Sequence, residues 1–133
     1  MIIIKSDKDI NLMRISGKIT AGSLEAARSV LKPGITTGEI DKVVYDYILS
    51  KGAKPSFLGY GGFSGSACIS VNEELIHGIP GDRQIKNGDI VSIDVGAFYK
   101  GFHTDMADTI LVGDVPEIAK TLYDTTKQSF FEG

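Results

Sequence analysis

Two aspartates carry the clearest chemical potential in this sequence: Asp94, within GDIVSIDVGAFYK, and Asp105, within GFHTDMADTILVG. Residues 89–97 and 102–112 both read as strands, and Phe98-Tyr99-Lys100-Gly101 lies between them. Gly101 suits the positive φ that a tight hairpin requires. A turn centred on Tyr99-Lys100 puts Asp94 and Asp105 directly opposite each other on one sheet face, and a glycine bulge would shift that register by one. Like charges facing each other across a strand pair repel. A divalent cation compensates, because carboxylates are hard oxygen ligands that chelate one metal or bridge two. Spacing alone leaves two readings standing: a cation site, or two acids on a solvated sheet face.

Three further side chains could contribute. His77 sits in Ile76-His77-Gly78-Ile79-Pro80-Gly81, where Gly and Pro fix a turn, so its imidazole belongs to a loop and not to an apolar stripe. Such a histidine is either surface filler or a hydrogen-bond donor to a substrate carbonyl or leaving amine. His103, two residues before Asp105, falls on the same strand face. Cys68 is the single cysteine and has no internal disulfide partner. It is a small core residue or a free thiol beside a site.

The elements that must position these groups follow from periodicity. Ser6 with Asp9 resembles a capping box, and Ile10, Met13, Gly17, Ala21, Leu24, Ala27 and Leu31 recur at helical spacing until Lys32-Pro33-Gly34 ends the run. Gly17 and Gly22 weaken that helix but allow close packing. A second helix starts at Thr36 or Thr37, with Ile40, Val43, Val44, Tyr47 and Ile48 as its stripe and Gly52 closing it. The segment PSFLGYGGFSG reads as an irregular loop, and residues 66–71 as a short strand. On the strand holding Asp94, Ser92 and Gly96 share its face, while Val91, Ile93, Val95 and Ala97 form a continuous apolar face for the helices. Pro116 opens a last helix whose apolar anchors are Ile118, Leu122, Phe130 and Phe131. Helices, then strands, then a helix indicate an α+β fold.

Composition sets outer bounds. With 133 residues there is room for one domain and one modest core. A net charge of −3 disfavours non-specific nucleic-acid binding, and no basic run suggests a membrane-surface patch. The N-terminal run Met1-Ile2-Ile3-Ile4 is too short for a signal peptide, and no stretch approaches a transmembrane span, so the expected location is cytoplasmic.

The combination of HGIP, then GDIVSIDVG, then GFHTD resembles the type I methionine aminopeptidases of bacteria. RISGKITAGSLEAA, LKPGITTGEID and PSFLGYGGF extend the resemblance over nearly the whole chain. It implies an α+β fold: one domain over 1–133, the N-terminal half of a pita-bread fold, with an antiparallel sheet and helices on one face. It implies a metalloprotease-type hydrolase, a dinuclear metalloaminopeptidase that removes the initiator methionine of nascent proteins. Its cofactors would be two divalent ions per complete enzyme (Co, Mn, Fe or Zn). By the same resemblance Asp94 chelates one metal, Asp105 bridges both, and His77 contacts substrate. Tyr60, Phe63 and Cys68 line the pocket for the methionine side chain.

Two departures stand out. Ala107-Asp108 occupies the place where the family often has Ser or Thr and then a basic residue. The added acid either alters metal affinity or points to solvent. The family's remaining ligands, one histidine and two glutamates, belong to a second half absent from this sequence. The expectation is therefore a truncated, incomplete half with negligible activity alone. The rival is a non-catalytic pita-bread binding module; a proline-specific peptidase of the same superfamily is disfavoured by HGIP. An uncovered face with Ile118, Leu122, Phe130 and Phe131 leads to the expectation of a homodimer, with no nucleic acid or membrane among the partners.

Overall fold

The computed structural model describes residues 2–133, so the N-terminal apolar run lies partly outside the described residues at Met1. Two long helices come first, α1 (Asp7–Val30) and α2 (Thr37–Ser50). Both begin with reciprocal capping boxes. Ser6 Oγ accepts from Asp9 N at 3.3 Å while Ser6 N donates to Asp9 Oδ2 at 3.0 Å. Thr36 and Glu39 repeat the arrangement at 3.1 and 2.8 Å. Each box satisfies helix-end donors for which the helix has no backbone acceptor.

Four strands follow: β1 (Lys54–Pro55), β2 (Ala67–Val71), β3 (Ile90–Tyr99) and β4 (Phe102–Leu111), with a short 3-10 turn at Tyr60–Gly62 before β2. All pairings are antiparallel and β3 is central. β4 lies along one edge of β3, and β2 and β1 share the other. One face of β3 presents Val91, Ile93, Val95 and Ala97, all fully buried, against Leu24 and Ala27 of α1 and Ile40, Val44 and Ile48 of α2. The helices cover that face, and the opposite face holds the acids. A last helix, α3 (Glu117–Glu132), starts after Pro116 and buries only Ala119.

Two sequence expectations are corrected here. The β3–β4 turn is centred on Lys100-Gly101, one residue later than predicted, with Tyr99 paired to Phe102. Both turn residues have positive φ, 45° and 95°, as a type I′ hairpin demands. A turn centred on Tyr99-Lys100 would have forced the bulky Tyr99 into that conformation, while Gly101 takes it without strain. Asp94 therefore pairs with Ala107 and Asp105 with Gly96, so the two acids are diagonal neighbours on one face and not directly opposed.

The buried stripe of α1 also differs from the apolar one. Ser16, Ile19, Thr20, Ser23, Leu24 and Ala27 are buried, whereas Ile10 and Met13 remain 37% exposed. Small residues let α1 approach the hairpin closely, and their hydroxyls serve its polar groups. Ser16 Oγ lies 3.1 Å from Ala97 O and 2.9 Å from Thr104 Oγ1, which is 2.7 Å from Thr20 Oγ1. Of the two helix glycines, Gly22 is the packing residue: a Cβ there would collide with the Tyr47 hydroxyl, whereas Gly17 faces open space.

Candidate metal centre

The sheet face opposite the helices is built from three strands. β2 contributes Cys68 and Ser70, β3 contributes Ser92, Asp94 and Gly96, and β4 contributes Asp105, Ala107 and Thr109. Cys68 and Ala107 flank Asp94 on its two sides. The row below is hydroxylic, with Ser92 Oγ 2.8 Å from Thr109 Oγ1. The start of β2 is pinned by Asp41 Oδ1, which accepts from Ser66 N at 2.7 Å and Ala67 N at 2.8 Å.

Asp94 is the electrostatic centre of this face. Its Oδ1 is buried and has no hydrogen-bond partner among the described residues. The carboxyl of Asp105 is close enough to share a hydrogen bond with it, but offers no hydrogen unless one of the two acids is protonated. Burial first, then that shared hydrogen bond and the charge of Asp105, pushes Asp94 up to about 6, while the charge of His77 acts in the other direction. Cys68 is pushed up to about 11 by burial and then by the charges of Asp94, Asp105 and Asp41. In the cation-free chain its thiol is thus protonated near neutrality.

Two walls rise beside the acids. Above Gly96 sit Ser56 and Phe57, whose side-chain atoms would lie 2.9 Å from a Cβ at that position. Ser56 N donates to Gly96 O at 2.9 Å, and Ser56 Oγ is 2.9 Å from His103 Nδ1. The His103 ring also packs on Phe98, 4.4 Å between centroids, so this histidine is held in the wall. On the other side, His77 stands in a loop with a positive φ of 57°. The neighbouring Gly78 bonds to β2 through Ile69 N (2.9 Å) and Ser70 Oγ (3.0 Å). Tyr60 begins the 3-10 turn and is 83% exposed, while Phe63 closes it, partly buried, with its N–H on Tyr60 O at 3.0 Å.

Asp108 keeps away from the acids, and its side chain is partly exposed, as the solvent-facing reading has it. It lies on the helix-covered side of β4, across the sheet from Asp94 and Asp105, and is paired with Arg28 of α1. It adds no charge to the acidic face.

Sequence reasoning missed Ser56, Phe57, Ser70 and Asp41. A glycine inside a strand, Gly96, was the available signal for something lying close above it. Ser70 shares the strand period of Cys68 and was legible only as a neighbour.

The donor set tests whether a cation belongs here. Two neighbouring carboxylates with an orphaned buried oxygen suit a hard or borderline divalent ion. Among the described residues no group of three or more His, Cys, Asp and Glu side chains is disposed to hold a metal, so the two acids form an open, incomplete ligand set.

Comparison with known proteins agrees in kind. A family model described as metallopeptidase family M24 matches residues 11–133. Methionine aminopeptidase 1 of Bacillus subtilis is 47% identical over 133 residues, covering 100% of this chain and 54% of the relative. A methionine aminopeptidase of Clostridium perfringens is 48% identical over the same length and 53% covered. Among solved structures, methionine aminopeptidase from Rickettsia prowazekii superposes with a TM-score of 0.94 at 38% identity, over 98% of this chain and 53% of that one. The prolidase of Pyrococcus furiosus superposes at 0.81 and 29% identity, over 92% of this chain and 35% of its own. The chain spans about half the length of the curated relatives it matches.

Proposed function

The chain belongs to metallopeptidase family M24, and from that premise we propose that it supplies the Asp94–Asp105 part of the divalent-cation centre of a methionine aminopeptidase. The observation that carries the reading is the pair of diagonal carboxylates with the unpartnered, buried Asp94 Oδ1. Asp94 and Asp105 would hold the cation, with Mn, Fe, Co or Zn as candidates. Such an ion supplies Lewis-acid polarisation of a carbonyl and a lowered pKa for water.

The remaining roles fall to this chain's own side chains. His77 donates a hydrogen bond to the carbonyl or leaving amine of the bound peptide. Tyr60, Phe63 and the neutral thiol of Cys68 receive the methionine side chain, for which a soft, apolar-like wall is suitable. The substrate class is the N-terminal peptide of nascent proteins. Two carboxylates alone do not fix a catalytic geometry, so turnover requires ligands beyond these two.

A homodimer is the accompanying proposal. Ile118, Leu122, Phe130 and Phe131 of α3 are 77, 62, 79 and 75% exposed. An isologous pairing would cover them. Sedimentation at micromolar concentration tests it: a dimer supports the pairing, and a clean monomer without exposed-patch dye binding removes it.

The functional reading is tested by complementation. The chain is mixed with the segment of the Bacillus subtilis relative that lies beyond the matched region, and release of methionine from a Met-Ala peptide is measured with added Mn2+. Release by the mixture, absent with either part alone and abolished by Asp94→Asn, supports the proposal. Robust turnover by the chain alone, or turnover that survives Asp94→Asn, overturns it.

A further inference from the structure

The loop that carries His77 is fastened at its two ends. Upstream, Glu74 N donates to Val71 O at 3.2 Å and Glu74 Oε2 accepts from Val71 N at 2.8 Å. Downstream, Gly81 O accepts from Gly38 N at 2.8 Å and Gly81 N donates to Thr37 Oγ1 at 2.9 Å. Between these anchors, at 75–80, Gly78 is the one residue among those described whose backbone makes hydrogen bonds. Leu75, Ile76 and Ile79 are 88, 66 and 67% exposed and give the loop little apolar anchorage.

Gly78 is held at two points. Its carbonyl accepts from Ile69 N at 2.9 Å, and its N–H donates to Ser70 Oγ at 3.0 Å. A Cβ at Gly78 would collide with the Ile69 carbonyl oxygen, so the loop backbone lies directly on β2. One bond alone would leave the Gly78 backbone free to pivot about it; the second fixes its orientation, and with it the adjacent His77. The Ile69 bond belongs to the backbone, whereas the other depends on a side chain, the buried hydroxyl of Ser70.

We infer that Ser70 is a positioning residue for His77: its hydroxyl clamps Gly78 to β2 and so aims the imidazole at the face that carries Asp94 and Asp105. The inference rests on the reading of His77 and the two acids given above, and it assigns Ser70 no contact with substrate or cation.

The test compares the 15N-labelled chain with Ser70→Ala, Ser70→Thr and Gly78→Ala, with Mn2+ alone as the probe. Three quantities are read: hydrogen exchange of the Gly78 amide, 15N relaxation of the His77 backbone, and Mn2+-induced broadening of the His77 ring protons. In Ser70→Ala, Gly78 exchange is expected to rise about tenfold and the His77 backbone to become mobile. Broadening at His77 should fall severalfold while that of amides beside Asp94 and Asp105 persists. Ser70→Thr, which keeps the hydroxyl, should restore all three. Gly78→Ala should displace the loop and reproduce the loss at His77 with the strand core intact, which keeps the test open if Ser70→Ala fails to fold. Unchanged His77 relaxation in folded Ser70→Ala, or in Gly78→Ala, overturns the clamp. Absence of Mn2+ broadening beside Asp94 and Asp105 in the unsubstituted chain sinks the cation reading instead, and the clamp is then decided by the two metal-free measurements.

Discussion

Asp94→Asn is expected to raise the stability of the cation-free chain, because the substitution removes a half-buried charge that faces a second acid. The structure sets the size of the effect. Burial, the shared hydrogen bond with Asp105 and the charge of Asp105 lift Asp94 from 3.8 to about 6. At about 1.4 kcal/mol per unit this difference corresponds to at most ~3 kcal/mol. One carboxyl oxygen is buried but the side chain as a whole is only partly so, and screening reduces the figure to about 1–1.5 kcal/mol, a few degrees in Tm for a chain of this length. The sign follows from linkage. A folded-state pKa above the unfolded value means that this group's stabilising contribution is complete below about 3.8 and is lost as pH rises through about 6. The gap between Asp94→Asn and the unsubstituted chain should therefore be full near neutrality and close between about pH 6 and pH 4. Urea melts at several pH values in the presence of a chelator measure it. A variant less stable than the parent by ~1 kcal/mol or more near pH 7.5 would refute the reasoning, since it would mean that Asp94 finds a compensating donor in the folded chain.

Three other outcomes follow from the same geometry. Asp41→Ala leaves the buried N–H groups of Ser66 and Ala67 without their acceptor and should cost about 2–3 kcal/mol in urea melts, whereas Asp41→Asn, which keeps an oxygen there, should cost clearly less. Thr104→Val strips Ser16 and Thr20 of a shared hydroxyl partner at the α1–hairpin contact; a loss of about 1–3 kcal/mol by thermal unfolding is expected. Asp108→Ala breaks a partly exposed pair with Arg28 on the far side of the sheet and should change stability by less than about 1 kcal/mol, leaving Mn2+ affinity measured by titration unaltered.

The capping box at Ser6 was legible because a local four-residue pattern specifies it, and the start of the second helix was placed at Thr36 or Thr37, although the Thr36–Glu39 box that caps it was not read. The apolar face of β3 was legible for a similar reason: alternation alone decides which side of a strand is buried. The hairpin register was harder. It depended on which residue takes the second positive φ, and Gly101 decided for a turn one position later, changing opposed acids into diagonal ones without moving either to the other face. The Ser16–Thr20–Thr104 contact escaped notice because counting apolar residues at helical spacing overlooks hydroxyls that bury themselves on a distant strand. Asp108 escaped for want of its partner: nothing local to β4 indicates that Arg28, on α1, will meet it. Strand spacing made Asp94 and Asp105 visible as a pair and the family motifs gave them ligand roles, while the groups that hold the surrounding walls, Ser56 and Ser70, appear only when the loops are seen lying on the sheet.

Whether Asp94 and Asp105 together make a divalent-cation site is decided by Mn2+ titration followed by the electron-spin resonance of the free ion. Binding by the chain should be weak but saturable, with a Kd in the high micromolar to millimolar range expected of an open, mostly hydrated set of two carboxylates (roughly −4 to −6 kcal/mol). Asp94→Asn and Asp105→Asn should each abolish that binding. Tight binding of two ions per isolated monomer, or binding that survives both substitutions, would contradict such a site.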